Sequence, residues 1–254
     1  MARRLRWFRP GVHYYEIVTN CVDDQMLLRP DHDAVLRIAL ALAGACLKQP
    51  RITILAVCFV SNHMHLIIQI SSDQDGPLIS DFLKALDEQI AISLNKLRER
   101  RGPFFRGRPA ILPILDDAHL EDRIAYTHSQ PLHHGLVERV EDWPGISSFR
   151  AVCDGKSTLD IACFDELEWR AAGAEAGRVS EFSRVVSVPL GMPAKWARMS
   201  ARELRETRRA HQDNVRGRGR KAAQMRAATG QRKRLPKPSQ YRKIDPFSRP
   251  LAPP

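Results

Sequence analysis

Apolar and polar residues follow two rhythms over the first 135 positions of this 254-residue chain. Positions 13–20, His-Tyr-Tyr-Glu-Ile-Val-Thr-Asn, are rich in strand formers and run into the turn-like Asn20-Cys21-Val22-Asp23-Asp24. Positions 32–49 put Val35, Ile38, Leu42 and Cys46 on one stripe, which predicts a helix closed by Pro50. The apolar, β-branched stretch 52–60 predicts a strand, Ser61-Asn62 a turn, and His63–Ile70 a second strand. Pro77 opens a helix in which Leu83, Leu86, Ile90, Leu94 and Leu97 recur at spacings of three and four, so one face is buried. Gly102-Pro103 ends it, and 109–115 reads as a short strand. Asp116-Asp117 can cap a further helix that runs to about His134 and stops at Gly135.

The order is strand, helix, strand, strand, helix, strand, then an extra helix. That is the β-α-β-β-α-β pattern of an α+β, ferredoxin-like fold: a four-stranded antiparallel sheet with helices on one face. Residues 1–150 hold this pattern. Residues 151–194 are less regular and read as an irregular or helical extension. From residue 195 Arg and Lys dominate, and no periodicity beyond residue 210 is strong enough to make a core. Residues 195–254 therefore read as a basic tail, disordered unless bound.

Composition narrows the function. With 43% hydrophobic and 27% charged residues the chain can build a packed core. The apolar stretches 38–47 and 52–60 are well short of the roughly 18 residues that cross a bilayer. The basic N-terminus is not followed by the apolar segment of a secretory signal. The five cysteines are scattered, with no Cys-x-x-Cys pair, which fits buried thiols in a reducing cytoplasm. The net charge of +11 is unevenly placed. Residues 195–254 carry 18 Lys and Arg against 4 Asp and Glu, and the other residues carry 22 against 25. A basic tail attracts polyanions such as nucleic acid; a solvated tail with no partner is the plainer alternative.

Candidate chemistry begins with His63-Met64-His65. Side chains alternate along a strand, so both imidazoles leave one face, with their bases about 7 Å apart, and can converge on one metal ion. Alone, the pair is equally well read as two surface or hydrogen-bonded histidines. Tyr126 and Gln130 stand four apart on the predicted helix 117–134 and share a face. A tyrosine can be a covalent nucleophile and a glutamine carbonyl a metal ligand. Alone, that pair too has a plain reading, as half-buried core.

Taken together, these segments resemble the IS200-like, single-tyrosine transposases of the HUH endonuclease superfamily, in particular the branch associated with repetitive extragenic palindromes (REP). Val60-Ser61-Asn62-His63-Met64-His65-Leu66-Ile67 resembles the family's apolar–x–Asn/Glu–His–x–His–apolar signature. Asn95, followed by Gly102-Pro103-Phe104-Phe105-Arg106-Gly107-Arg108, resembles its Asn…Gly–x–aromatic–x–x–Arg segment. Tyr126 through Val137 resembles its Tyr–Ile–x–x–Asn–Pro–Val–x–x–Gly–Leu–Val segment, and Glu141-Asp142-Trp143-Pro144…Ser147-Ser148-Phe149 the one after it.

The resemblance implies a metal-dependent DNA endonuclease and strand transferase. It implies Tyr126 as the nucleophile that forms a 5′-phosphotyrosine, and His63, His65 and Gln130 as holders of Mg²⁺ or Mn²⁺. Gln130 stands where this branch usually has Asn. Lys84, Arg106 and Arg108 are candidate DNA-backbone contacts, each equally readable as a solvated charge. His128, His133 and His134 are expected at the surface or facing DNA, with no ligand role. The implied partner is single-stranded DNA with hairpin or palindromic structure, with no membrane, and the family includes dimers and monomers. Two other classes compete: a DNA-binding repressor or genome-maintenance factor on the same fold, and a small metallohydrolase, for which no further Asp or His stands at a convincing spacing.

Overall fold

A computed structural model describes residues 13–71, 75–174 and 176–229. The first 135 positions form β1 (Tyr14–Asn20), α1 (His32–Lys48), β2 (Ile52–Phe59), β3 (His63–Ile70), α2 (Asp75–Leu97), β4 (Ala110–Ile114) and α3 (Asp117–His133). All strand pairs are antiparallel, and the sheet order is β2-β3-β1-β4. This is the α+β sheet expected from the pattern of residues.

Alternation along β3 divides the molecule into layers. Met64, Leu66, Ile68 and Ile70 enter one core with α1 and α2, where Leu83, Leu86, Ile90 and Leu94 supply the predicted face of α2. Ile67 points the other way, into a second core with Leu55, Ala56, Ile114, and Leu120 and Ile124 of α3. The extra helix therefore takes the opposite face of the sheet, the face that receives His63 and His65. A bulge between Ile54 and Ala56 lets β2 serve both layers. Ile52 and Ile54 face α1 before it, and Val57 and Phe59 face α1 after it.

Asp116 caps α3 by accepting from His119 N at 2.7 Å. Gly135, at φ 61°, ends it as predicted: Gly135 N donates to Leu132 O at 3.0 Å, and Leu136 N to Pro131 O at 2.8 Å.

Two expectations are corrected beyond residue 150. The extension holds α4 (Phe149–Asp154) and α5 (Glu166–Ala171), but its main element is an antiparallel hairpin of β5 (Thr158–Phe164) and β6 (Ser183–Pro189). Leu159, Ile161, Cys163, Val186 and Val188 alternate inward and join the core that holds α1. Just beyond it, Gly191 N donates to Ile54 O at 2.8 Å, which covers part of the free edge of β2.

The second correction concerns the tail. After α6 (Ala194–Ala197), residues Ala201–Ala228 form one 28-residue helix, α7. Ser200 and Glu203 make a reciprocal capping box at its start. Its buried positions, His211, Val215, Gly219 and Ala222, fall at helical spacing. They pack on α3 and α4, so these residues are not disordered. The remainder of the predicted tail, 230–254, lies outside the described residues. No helix among the described residues is long and apolar enough to cross a membrane.

The α3–α7 contact is close because Gly219 has no side chain. A Cβ there would stand 2.7 Å from Leu132 Cδ1 and 3.0 Å from Leu132 Cβ. Polar contacts flank it. Arg226 Nη1 donates to Leu132 O (3.2 Å) and His133 O (2.5 Å), Arg218 pairs with Asp122, and Lys195 Nζ and Trp196 Nε1 both donate to Glu121 Oε1. Gly219→Val should cost about 1–3 kcal/mol by overpacking this crossing, read as a lower urea midpoint. An unchanged midpoint would mean that α7 is not docked on α3.

Candidate active site

The structure brings together the four residues that the motifs single out. His63 and His65, 7% and 5% exposed, project from β3 toward α3 with ring centroids 5.2 Å apart. Tyr126 is half-buried, and its ring lies 5.6 Å from that of His65. One turn later, Gln130 Oε1 stands 3.4 Å from His63 Nε2.

The short contact to Asn62 favours one tautomer of His63. Asn62 Nδ2 reaches Asp24 O at 3.5 Å, which turns Asn62 Oδ1 to accept from His63 Nδ1 at 2.8 Å. Burial, together with the neighbouring His134 and His65, pushes the His63 pKa down to about 3, so the ring is neutral at physiological pH. With its proton on Nδ1, Nε2 presents a lone pair to the acceptor oxygen of Gln130. Gln130 Nε2 donates to Tyr126 O at 3.3 Å, and this keeps the amide oxygen turned toward the rings. Two acceptors facing each other are unfavourable unless a cation or a proton lies between them.

His65 is oriented from behind. Its Nδ1 donates to Glu16 Oε1 at 3.4 Å, and Glu16 is 2% exposed. Burial pushes the Glu16 carboxyl up, but hydrogen bonds from His65 and Arg123 outweigh it and hold the group below the usual carboxylate value. A carboxylate behind an imidazole leaves the other nitrogen free to act as a ligand. The donor set thus fits a divalent cation. Among the described residues no group of three His, Cys, Asp or Glu side chains is placed to hold a metal ion, so a cation here depends on the Gln130 amide oxygen.

Sequence reasoning missed the roles of Glu16 and Arg123. Arg123 Nη2 donates to the same Glu16 Oε1 at 2.6 Å, and its guanidinium carbon lies 4.1 Å from the Tyr126 ring centroid. The helical spacing of Arg123 and Tyr126 was the available signal.

His133 and His134 are exposed, as expected, and His128 corrects the expectation. His134 stands at the site, its ring 4.9 Å from that of His63 and its Nε2 3.2 Å from Gln130 Oε1. His133 is 6.1 Å from the Tyr126 ring. Burial, and then Arg226 and Arg218 of α7, lower its pKa. His128 is fully buried on the far side of α3, with Nδ1 2.9 Å from His211 Nε2 and Nε2 2.8 Å from Ser148 Oγ. It is not at the surface, because α7 covers it.

The candidate DNA contacts divide. Arg106 N donates to Asn20 O at 2.7 Å, and Asn20 pairs with His63 across the sheet, so Arg106 stands at the histidine end of the sheet with its side chain 67% exposed. Arg108 is exposed two residues later, before β4. Lys84 is exposed on α2, in the helix layer on the opposite face, and does not flank the histidines.

Comparison with known proteins gives the site a context. No model of a known protein family matches the chain. The chain is similar to a Haemophilus influenzae protein named "Putative REP-associated tyrosine transposase", 28% identical over 149 residues, which are 56% of this chain and 82% of that protein. Among solved structures, a REP-associated tyrosine transposase bound to a REP hairpin aligns with a TM-score of 0.48 and 18% identity, over 61% of this chain and 86% of that one. The resemblance read from the motifs is thus matched by a relative of the same branch.

The buried histidine pair predicts an acid limit to stability. Burial lowers the His211 pKa to about 4 and that of His128 well below its ordinary value. The unfolded chain takes up protons near pH 6.5 while the folded chain does not, so stability is full above that pH and falls as pH drops toward 4. Each histidine contributes about 1.4 kcal/mol per pH unit in that window. The urea midpoint should therefore fall between pH 7.5 and pH 5, and the fall should be smaller in His211→Gln.

Proposed function

We propose that this chain is a DNA endonuclease and strand transferase of the single-tyrosine HUH type, acting on single-stranded, hairpin-forming DNA. The observation that carries this reading is the half-buried Tyr126 on α3, one turn ahead of a Gln130 oxygen that faces the neutral His63 across 3.4 Å. The similarity to a relative of the REP-associated branch supports it.

In this reading Tyr126 Oη attacks the scissile phosphorus. The phenol gives its proton to solvent as the Oη–P bond forms, the P–O3′ bond breaks, and the departing 3′ oxygen takes up a proton from solvent. The phosphodiester energy is kept in the phosphotyrosine, so a later 3′-OH can reverse the step without nucleotide hydrolysis. His63, His65 and Gln130 would hold a divalent cation, Mg²⁺ or Mn²⁺, which polarises a non-bridging phosphate oxygen when bound. A phenol is a poor nucleophile at neutral pH, so the protein must supply positioning. The rigid seat of α3 between the sheet and α7 supplies it. Arg106 and Arg108 stand at the histidine end of the sheet, where a DNA backbone could lie. A DNA substrate places its work in the cytoplasm.

Purified protein given a labelled hairpin oligonucleotide and Mn²⁺ should form an SDS-stable adduct that maps to Tyr126. Tyr126→Phe should form none while melting at the wild-type temperature. His63→Ala should slow cleavage by about tenfold or more, since one of three donors is lost, and EDTA should stop it. Wild-type cleavage by Tyr126→Phe would overturn both the nucleophile assignment and the single-tyrosine reading of the site.

The basic charge makes a separate prediction. A chain ending at residue 229 keeps α7 and removes seven of the 18 Lys and Arg residues beyond position 194. It should bind the same hairpin more weakly, with a shallower salt dependence, while the adduct still maps to Tyr126.

A further inference from the structure

Tyr126 and His65 stand on different elements, yet their supports meet at one oxygen atom. Glu16 lies in the middle of β1 with its side chain on the α3 face of the sheet. Its Oε1 accepts from His65 Nδ1 at 3.4 Å and from Arg123 Nη2 at 2.6 Å. Arg123 precedes Tyr126 by three residues on α3 and lays its guanidinium over the phenol ring, 4.1 Å from the centroid. The result is a continuous chain of contacts: phenol ring, guanidinium, carboxylate, imidazole.

A planar cation over an aromatic face is held there by the ring quadrupole. An arginine on an exposed helix turn would sample many rotamers, but one anchored to a buried carboxylate cannot. The guanidinium also gives up a bond to keep this pose, since Arg123 Nε is buried without a partner. An arginine placed only to neutralise Glu16 has no need to lie on the ring.

We infer that Glu16 and Arg123 are positioning residues that set where the Tyr126 ring stands relative to His65. The inference rests on the proposed roles of Tyr126 as nucleophile and His65 as ligand. In-line attack tolerates little displacement, and a misplacement of about 1 Å can cost about a hundredfold in rate. Because one carboxylate oxygen serves both arms, a change at Glu16 reaches the nucleophile and the histidine directly, whereas a change at Arg123 reaches the nucleophile directly and His65 only through Glu16.

Three variants test this asymmetry. Arg123→Met keeps the length and removes the cation; Arg123→Lys keeps a cation without the planar fork; Glu16→Gln keeps the shape and removes the charge. With saturating Mn²⁺, Arg123→Met should form the Tyr126 adduct about tenfold more slowly in single turnover, with hairpin Kd within about twofold of wild type. Arg123→Lys should recover part of the rate. Glu16→Gln should slow the adduct and also raise the Mn²⁺ concentration needed for half-maximal rate, and Arg123→Met should raise that concentration by less. A second readout needs neither metal nor DNA. In protein with ring-labelled tyrosine, the Tyr126 resonances, assigned by their loss in Tyr126→Phe, should move in Glu16→Gln although no hydrogen bond joins the two residues. Wild-type adduct rates in Arg123→Met, or unmoved Tyr126 resonances in Glu16→Gln, would overturn the inference. If the wild-type protein formed no adduct at Tyr126, the nucleophile reading would fail, and the resonances would still decide whether Glu16 governs the ring.

Discussion

Four consecutive polar residues of α3, Thr127 to Gln130, are buried, and the architecture follows from giving them partners. A buried polar group without a hydrogen bond costs about 1–3 kcal/mol. Ser129 Oγ is satisfied within the helix, donating to Tyr126 O at 2.8 Å, and Gln130 by the same carbonyl and His134. His128 cannot be satisfied locally. It needs Ser148 on one side and His211 of α7 on the other. Of the four, Thr127 alone keeps a buried side-chain oxygen without a partner. A helix with this composition could not form a stable surface layer. It is held because the sheet takes one side and α7 the other.

The same constraint explains what could be read from the residues alone. β3 was legible because its apolar positions alternate and both faces are covered. α2 was legible because its buried residues are large leucines and isoleucines at helical spacing. The buried stripe of α7 is His211, Val215, Gly219 and Ala222, set among arginines. Its fit to α3 depends on shape and on one histidine–histidine bond, and hydrophobicity carries almost none of that signal. The β5–β6 hairpin was within reach, since Leu159, Ile161 and Cys163 alternate, but β6 carries only Val186 and Val188 inward.

At the site, the motif residues were legible and the residues behind them were not. Glu16 sits between Tyr15 and Ile17, both fully buried toward α1 and α2. In a one-sided sheet its side chain would face water, which is how strand alternation reads it. Once α3 covers that face, the same carboxylate becomes a buried anion that must be paired, and His65 and Arg123 pair it. His134 is exposed, as expected, and caps the end of α3. The left-handed Gly135 then folds the chain back, and the His134 ring stays beside His63.

The seating of α3 also bears on when that helix gains its support during the chain's own synthesis. Translation delivers the sheet and α3 first, and a domain gathers its contacts in the order in which they emerge. Until α7 leaves the ribosome, His128 lacks His211, the last carbonyls of α3 lack Arg226, and the surface of Leu132 is bare. A nascent or truncated chain that contains every motif residue still lacks the support that holds its tyrosine in place. α3 is therefore held on both sides only in chains translated through α7.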